Sequence, residues 1–412
     1  MQNIRAEVVL PARDVREDIP FFTKRLGFRL DEIYPADDPR VVVLSGFGLR
    51  LRLDAGLEGP PGHVRLLCDD PVLIAGGETE LTAPSGTRVE IAPLAAPVVM
   101  PPTEHDFVVR RLADQAPWVI GRAGMQYRDL IPSRLGGSII ASHIRIPDGG
   151  PVPDMVHYHS IGFQLIFCYR GWVDLVYEDQ GEPFRLHAGN CVIQPPEIRH
   201  RVLYASDNIE VIEIGVPAEH VTTIDHEMEL PTAALRPERD WDGQRFVHHR
   251  AEGAAWQPFR LPGFKSRDTT IADHTGGVAH VHVVRRGAGN PAWASHDADI
   301  HFSFVMAGEV TLEGEAQAPQ VLAAGDAFVI PPGLSTRLSA PSADVEILEV
   351  ALPGAFKTEI TPYTELGRRP TDAATMPERA CADVGGEARL RPRILSRLGC
   401  HFPPHWPERR NV

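Results

Sequence analysis

The stretch HYHSIGFQLIFCYRG, residues 157–171, followed by GNCVIQPPEIRHRVLY, residues 189–204, decides how the rest of the chain is read. Two histidines at i and i+2 on a strand point to one face, so His157 and His159 can converge on a single ion from one wall. That spacing alone is weak evidence. It gains weight because Gln164 and Gly171 follow, and the second block runs from Gly189 through Pro195 to His200. Four potential ligands in register on two strands exceed what chance alternation supplies.

The same pattern recurs further along. FQLIFCYRGWVDLVYE and LHAGNCVIQPPEIRH reappear as HFSFVMAGEVTLEGE and LAAGDAFVIPPGLST, displaced by 137 residues from Gly171 to Gly308 and by 136 from Gly189 to Gly325. Between about 104 and 360 the chain consists of short β-type runs separated by Gly and Pro, which predicts two copies of one β-domain at 104–230 and 240–362. Upstream, AEVVLPA reads as a strand and Asp14 to Leu26 as an amphipathic helix ended by Gly27. VVVLSG, LRLRLDA, HVRLLC and TRVEIAP then read as strands, giving an α+β module over 1–95. APLAAPVVMPP is a linker, and the Arg- and Pro-rich residues 363–412 are expected to be an irregular tail covering another part of the protein or a partner subunit.

A chain of 412 residues with 43% hydrophobic content supports two or three cores. Its net charge of −14 argues against nucleic acid or an anionic membrane as partner and leaves a small molecule. No basic segment followed by an apolar run opens the sequence, and no stretch is long enough for a membrane helix. Five cysteines, Cys68, Cys168, Cys191, Cys381 and Cys400, form no CxxC pair, as suits reduced structural thiols and a cytoplasmic location.

The two blocks at 157–171 and 189–204 resemble the cupin superfamily motifs, HxH(x)3–4E(x)6G and G(x)5PxG(x)2H(x)3N, departing at Gln164 for Glu, Glu197 for Gly and Tyr204 for Asn. The resemblance implies a mainly β fold: two tandem cupin (double-stranded β-helix or jelly-roll) barrels preceded by the α+β module. It also implies that His157, His159 and His200 are metal ligands, with Gln164 the fourth, holding one divalent metal ion per chain. Fe(II) is favoured, with Ni, Mn or Zn as alternatives, since donor type alone does not choose among them. In the second barrel the equivalent positions are Ala294, His296, His301 and Thr336, so a metal site is not expected there. His280 and His282, two apart on an earlier strand, are placed either toward that pocket or toward solvent.

By strand parity Ile166 and Cys168 share the face of Gln164, and Val202 and Tyr204 share that of His200. Arg145 and Arg199 are candidate carboxylate clamps, with a solvated surface position as the alternative. Glu213 or Tyr204 is the candidate base. Residues 3–93, with VVLPARDVREDIPFFTKRLGF, resemble one βαβββ module of the vicinal-oxygen-chelate superfamily, which includes glyoxalases and extradiol dioxygenases. The family's ligand positions correspond to Glu7 and Glu90, and the lone module implies either a vestigial site or pairing in a homodimer.

Because an ion held by three imidazoles and an amide keeps its full positive charge, a small anionic substrate is expected. The leading reading is an Fe(II) dioxygenase acting on an enolisable or aromatic substrate. A metal-dependent isomerase, tautomerase or lyase on a sugar acid or oxo acid is the second, and a non-catalytic sensor the third.

Overall fold

In the computed structural model, which describes residues 4–95 and 97–361, the N-terminal module holds two sheets. Val8–Pro11 lies parallel to Leu49–Asp54, and Val41–Gly46 and Arg29–Tyr34 complete an antiparallel edge, so the βαβββ unit closes by residue 54. Its helix, Val15–Pro20, starts where the Asp14 carboxylate accepts from the Arg16 N–H, and continues as a π-helical turn over Phe21–Arg25. Phe22, Leu26, Leu44, Leu51 and Leu53 form the module's buried core. The expected strand HVRLLC belongs to a second, three-stranded sheet, His63–Cys68 parallel to Arg88–Pro93 with Glu80–Thr82 on its far side. Arg29–Tyr34 escapes the sequence reading because nearly all its residues are exposed, so it shows no alternation.

Residues 119–224 build the first barrel from two facing sheets. One runs in the order Cys191–Ile193, Phe163–Arg170, Ile209–Val216, Ile140–Ile146, Gln126–Asp129, Val119–Ile120. The other runs Phe184–His187, Trp172–Tyr177, His200–Ala205, His157–Ser160, Val221–Ile224. The second barrel repeats this order, with Ile300–Ala307 standing for Phe163–Arg170 and Glu346–Leu352 for Ile209–Val216. Tandem jelly-roll barrels are therefore the architecture of this mainly β chain.

The two larger sheets pack back to back. Phe163, Phe167 and Ile214 of one barrel share a core with Phe302, Phe304 and Leu348 of the other. Separate cores fill each barrel's interior. Strands buried on both faces need no polar side, which is why FQLIFCYR and IHFSFVMA lack clean alternation. The contact is pseudo-symmetric: Arg128 donates to the Gly325 carbonyl (2.6 Å) and Arg267 to the Gly189 carbonyl (2.9 Å).

The strands also cross between barrels, which corrects the domain boundaries. Val108–Arg110, expected in the first barrel, pairs with Ala327–Val329 of the second, and Val247–His249 pairs with Cys191–Ile193 of the first. A sequence repeat shows what each barrel resembles but not whose edge a preceding strand joins. The expected tail, 363–412, with Cys381 and Cys400, lies outside the described residues; Cys68, Cys168 and Cys191 are free thiols. No described helix is long and apolar enough to cross a membrane.

Candidate metal centre

His157 and His200 face each other directly across neighbouring strands, and His159 stands two residues along the first. One ligand atom from each lies within 4.8 Å of those of the other two, making this the cluster among the described residues able to hold a metal. Backbone and side-chain acceptors fix all three rings. Nδ1 of His157 meets the Met155 carbonyl (2.8 Å), Nδ1 of His159 meets Thr222 Oγ1 (2.8 Å) and Nδ1 of His200 meets the Ile198 carbonyl (2.9 Å). That arrangement leaves each Nε2 as the free donor atom, and the partner at Nδ1 raises its basicity.

The imidazoles are neutral. Burial drives the pKa of His159 down to about 2, assisted by His157, His220 and Arg122, and burial likewise lowers His157 and His200. Their lone pairs are therefore available at neutral pH without loss of a proton.

Gln164 approaches from the facing sheet, on Phe163–Arg170. Its Nε2 donates to Glu213 Oε1 (2.7 Å), while Oε1 is buried without a hydrogen-bond partner. His157 Nε2 is buried and unpartnered too. Two orphaned acceptors, one from each facing sheet, are what a bound divalent ion satisfies, so the donor set fits such an ion. The Glu213 contact also explains the departure from Glu at position 164. A second carboxylate there would face Glu213 at hydrogen-bonding distance, and like charges so close cannot both stay ionised.

A cavity opens beside His159 and His200. Its walls are chiefly apolar, including Met125, Ile144, Ile166, Leu175 and Val211, with Arg122, Glu213, Tyr127 and Gln194 as the polar points. Burial and then the Glu213 charge push Tyr127 up to about 12, so its hydroxyl keeps its proton. Arg122 is held by the buried Asp154 carboxylate, which also accepts the Val202 N–H (2.9 Å). His220 packs edge-on to His159 at 5.4 Å.

Of the residues expected around the metal, the structure brings His159, His200, Glu213, Ile166 and Val202 to this cavity, with His157 opposite His200 in the strand register and Gln164 bonded to Glu213. Cys168 lies in the same barrel core, bonded to the carbonyls of Arg170 and Gly171. Three others are corrected. Tyr204 points outward, 43% exposed and stacked on Trp172, because the register shifts between Asp174 and Leu175: Val202 pairs with Leu175 but Tyr204 with Asp174, and the extra residue reverses the parity. Arg145 occupies the face opposite Ile144 and Ile146, bonded to Gln126 and lying 4.0 Å over Trp118. Arg199 bonds Asp225 and covers Tyr158 outside the barrel. Arg122 was not found from sequence, since nothing in GRAGMQY marks it. The one available signal is its displacement by 138 residues from Arg260, the same repeat that relates the barrels.

Glu7 and Glu90 do not meet. Within one chain Glu7 pairs with Arg50 (2.7 Å), while Glu90, on the three-stranded sheet, pairs with Arg65 (3.0 Å).

No family model matches the chain, and no curated protein matches it. Solved structures similar in fold include salicylate 1,2-dioxygenase from Pseudaminobacter salicylatoxidans, 16% identical with a TM-score of 0.46, covering 64% of this chain and 90% of that one. Oxalate decarboxylase from Lactobacillus farciminis, in a formate complex, is 13% identical with a TM-score of 0.48, covering 65% and 96%. Protein Ylba from E. coli is 11% identical with a TM-score of 0.44, covering 64% and 96%.

Proposed function

We propose that the first barrel makes this chain a metal-dependent oxidoreductase, an Fe(II) dioxygenase acting on a small anionic substrate that is aromatic or enolisable. The observation that carries this reading is the convergence of His157, His159 and His200 with every Nδ1 bonded elsewhere, beside the unpartnered amide oxygen of Gln164. When bound, the ion supplies Lewis-acid polarisation of a substrate oxygen and one-electron chemistry with O2.

The residues around it select the substrate. All four proposed ligands are neutral, so the ion's charge is uncompensated by them, and Arg122 adds a guanidinium to the same cavity. An anion that presents a carboxylate to Arg122 is favoured, because the planar fork matches that group. The aliphatic walls favour an aromatic or short-chain body over a polyhydroxylated one. Each sugar hydroxyl left unpaired against Ile144, Leu175 or Val211 would cost roughly 1–3 kcal/mol. Glu213 fixes the Gln164 amide and presents the carboxylate able to accept a substrate proton, while Tyr127 and Gln194 supply hydrogen-bond donors.

Oxygen uptake tests this directly. Iron-loaded protein offered aromatic hydroxy acids, catechols, β-dicarbonyl acids and sugar acids is expected to consume O2 with one of the first three classes only. Conversion of a sugar acid or oxo acid with oxygen untouched would replace the proposal with a Ni, Mn or Zn isomerase or lyase. Tight binding without turnover across the panel would make the protein a sensor.

A further inference from the structure

The metal centre makes no use of His280 and His282, and the structure gives these two rings different partners. His280 meets Glu349 (3.4 Å), the carboxylate on which Arg260 closes (2.5 Å). His282 meets the neighbouring strand, Phe264–Asp268, with a hydroxyl on one side of its ring and a carboxylate on the other. Ser266 Oγ lies 3.0 Å from its Nδ1, and Asp268 Oδ1 lies 3.4 Å from its Nε2. The strand period produces this arrangement: Asp268 pairs directly with His282, and Ser266, two residues earlier, shares its face.

Neighbouring groups hold the three in order. His280 stacks on the His282 ring at 3.8 Å with planes 15° apart, and the Thr270 N–H donates to Asp268 Oδ1 (2.8 Å). The bond from His282, joined by the one from Thr270, holds the Asp268 pKa down to about 2 against the cost of its partial burial, so the carboxylate is ionised. An ionised carboxylate at Nε2 keeps the ring proton on that side and leaves Nδ1 as the acceptor for the Ser266 hydroxyl. A hydroxyl, a base within reach of it and a third group orienting the base make up the arrangement that activates a serine.

All three residues open on a cavity of about 580 Å³, within the range of small-ligand pockets. Arg250 and Gln257 line it too, bringing N–H donors for an oxygen that becomes negative. Ser266 is only 4% exposed, so a short acyl group reaches its hydroxyl and a bulky one does not.

We propose that Ser266, His282 and Asp268 form a second active centre, which hydrolyses esters of short acyl chains without a metal. Ser266 Oγ attacks the ester carbonyl carbon while its proton passes to His282 Nδ1. The bond from that carbon to the leaving oxygen then breaks, and the proton goes to that oxygen to release the alcohol. Water attacks the acyl group in turn, its proton taken by the same nitrogen, and the acid departs as Ser266 recovers its hydrogen. Ser266 and His282 are the catalytic pair, and Asp268 is a positioning residue that fixes the His282 tautomer.

Methanesulfonyl fluoride is the probe, small enough for this serine: its sulfur bonds to the attacking oxygen, fluoride leaves and His282 takes the proton. The full chain is treated with it in the presence of EDTA, and peptide mass spectrometry reads which serine is sulfonylated. Ser266 should be labelled, about a hundredfold more slowly in H282Q and in D268N, with D268E restoring the rate to within about tenfold of wild type. Hydrolysis of p-nitrophenyl acetate should be at least about tenfold slower in S266A. An unlabelled Ser266 in the wild-type chain overturns the proposal, as do equal labelling rates in wild type and H282Q or equal ester hydrolysis in wild type and S266A. A D268E rate no higher than that of D268N overturns the role given to Asp268. The centre shares no residue with the metal site and its test needs no metal, so it stands or falls apart from the reaction proposed for the first barrel.

Discussion

The two barrels share strand order, repeat spacing and even an arginine–glutamate couple, yet one pocket is organised to hold an ion and the other to exclude it. The difference lies in few residues. His157 and His200 become Ala294 and Thr336, Gln164 becomes His301, and the arginine that Asp154 holds aside in the first barrel swings onto Glu349 in the second. The buried Glu349 is balanced by Arg260 inside the second barrel, whereas the half-buried Glu213 is bonded to the Gln164 amide, which leaves the first pocket without an internal ion pair on that carboxylate.

The largest expected effect comes from separating the halves. Each barrel borrows a strand from the segment preceding the other, and both bury a large sheet face in the shared core. Cutting the chain between residues 225 and 239 and expressing the pieces separately should give insoluble protein, whereas co-expression should restore a soluble complex, as size-exclusion chromatography would show. Soluble, folded single barrels would break the account of the interface.

Next is H159A set against H296A. Removing one imidazole from the first barrel should abolish stoichiometric metal binding and reduce turnover by about a hundredfold or more, while H296A leaves metal content unchanged by elemental analysis. Third is R260L, which leaves the fully buried Glu349 without its principal partner and should destabilise the fold by about 3–5 kcal/mol in denaturant titration. R122K, by contrast, keeps the charge on the Asp154 carboxylate but loses the fork, and should raise KM about tenfold with metal content unchanged. The smallest effect is expected from A294H with T336H. While Arg260 stays in place, the rebuilt histidines should gain no second ion, and uptake of one would show that ligand loss alone silenced the second barrel.

Much of this contrast was legible in the sequence. The ligand positions and the repeat rest on exact spacing along strands, and spacing survives folding. What was lost rests on single-residue events that spacing does not record. The register shift opposite Asp174 and Leu175 turned Tyr204 outward, where parity alone had placed it inside. Arg145 had the right chemistry on the wrong face, since a strand between two cores gives no hint of which face meets the cavity. Arg122 reaches the cavity from an irregular turn, where no period applies. The exchanged strands Val108–Arg110 and Val247–His249 are short and lie next to linkers, and edge pairing is decided by tertiary packing.

The central claim is that the chain holds its metal in the first barrel alone. Anomalous diffraction at the iron edge, from crystals of protein purified anaerobically with Fe(II), measures this most directly. The account predicts one peak per chain, within bonding distance of Nε2 of His157, His159 and His200, and none beside His296. A peak in the second barrel, or the absence of one between those three histidines, would contradict it.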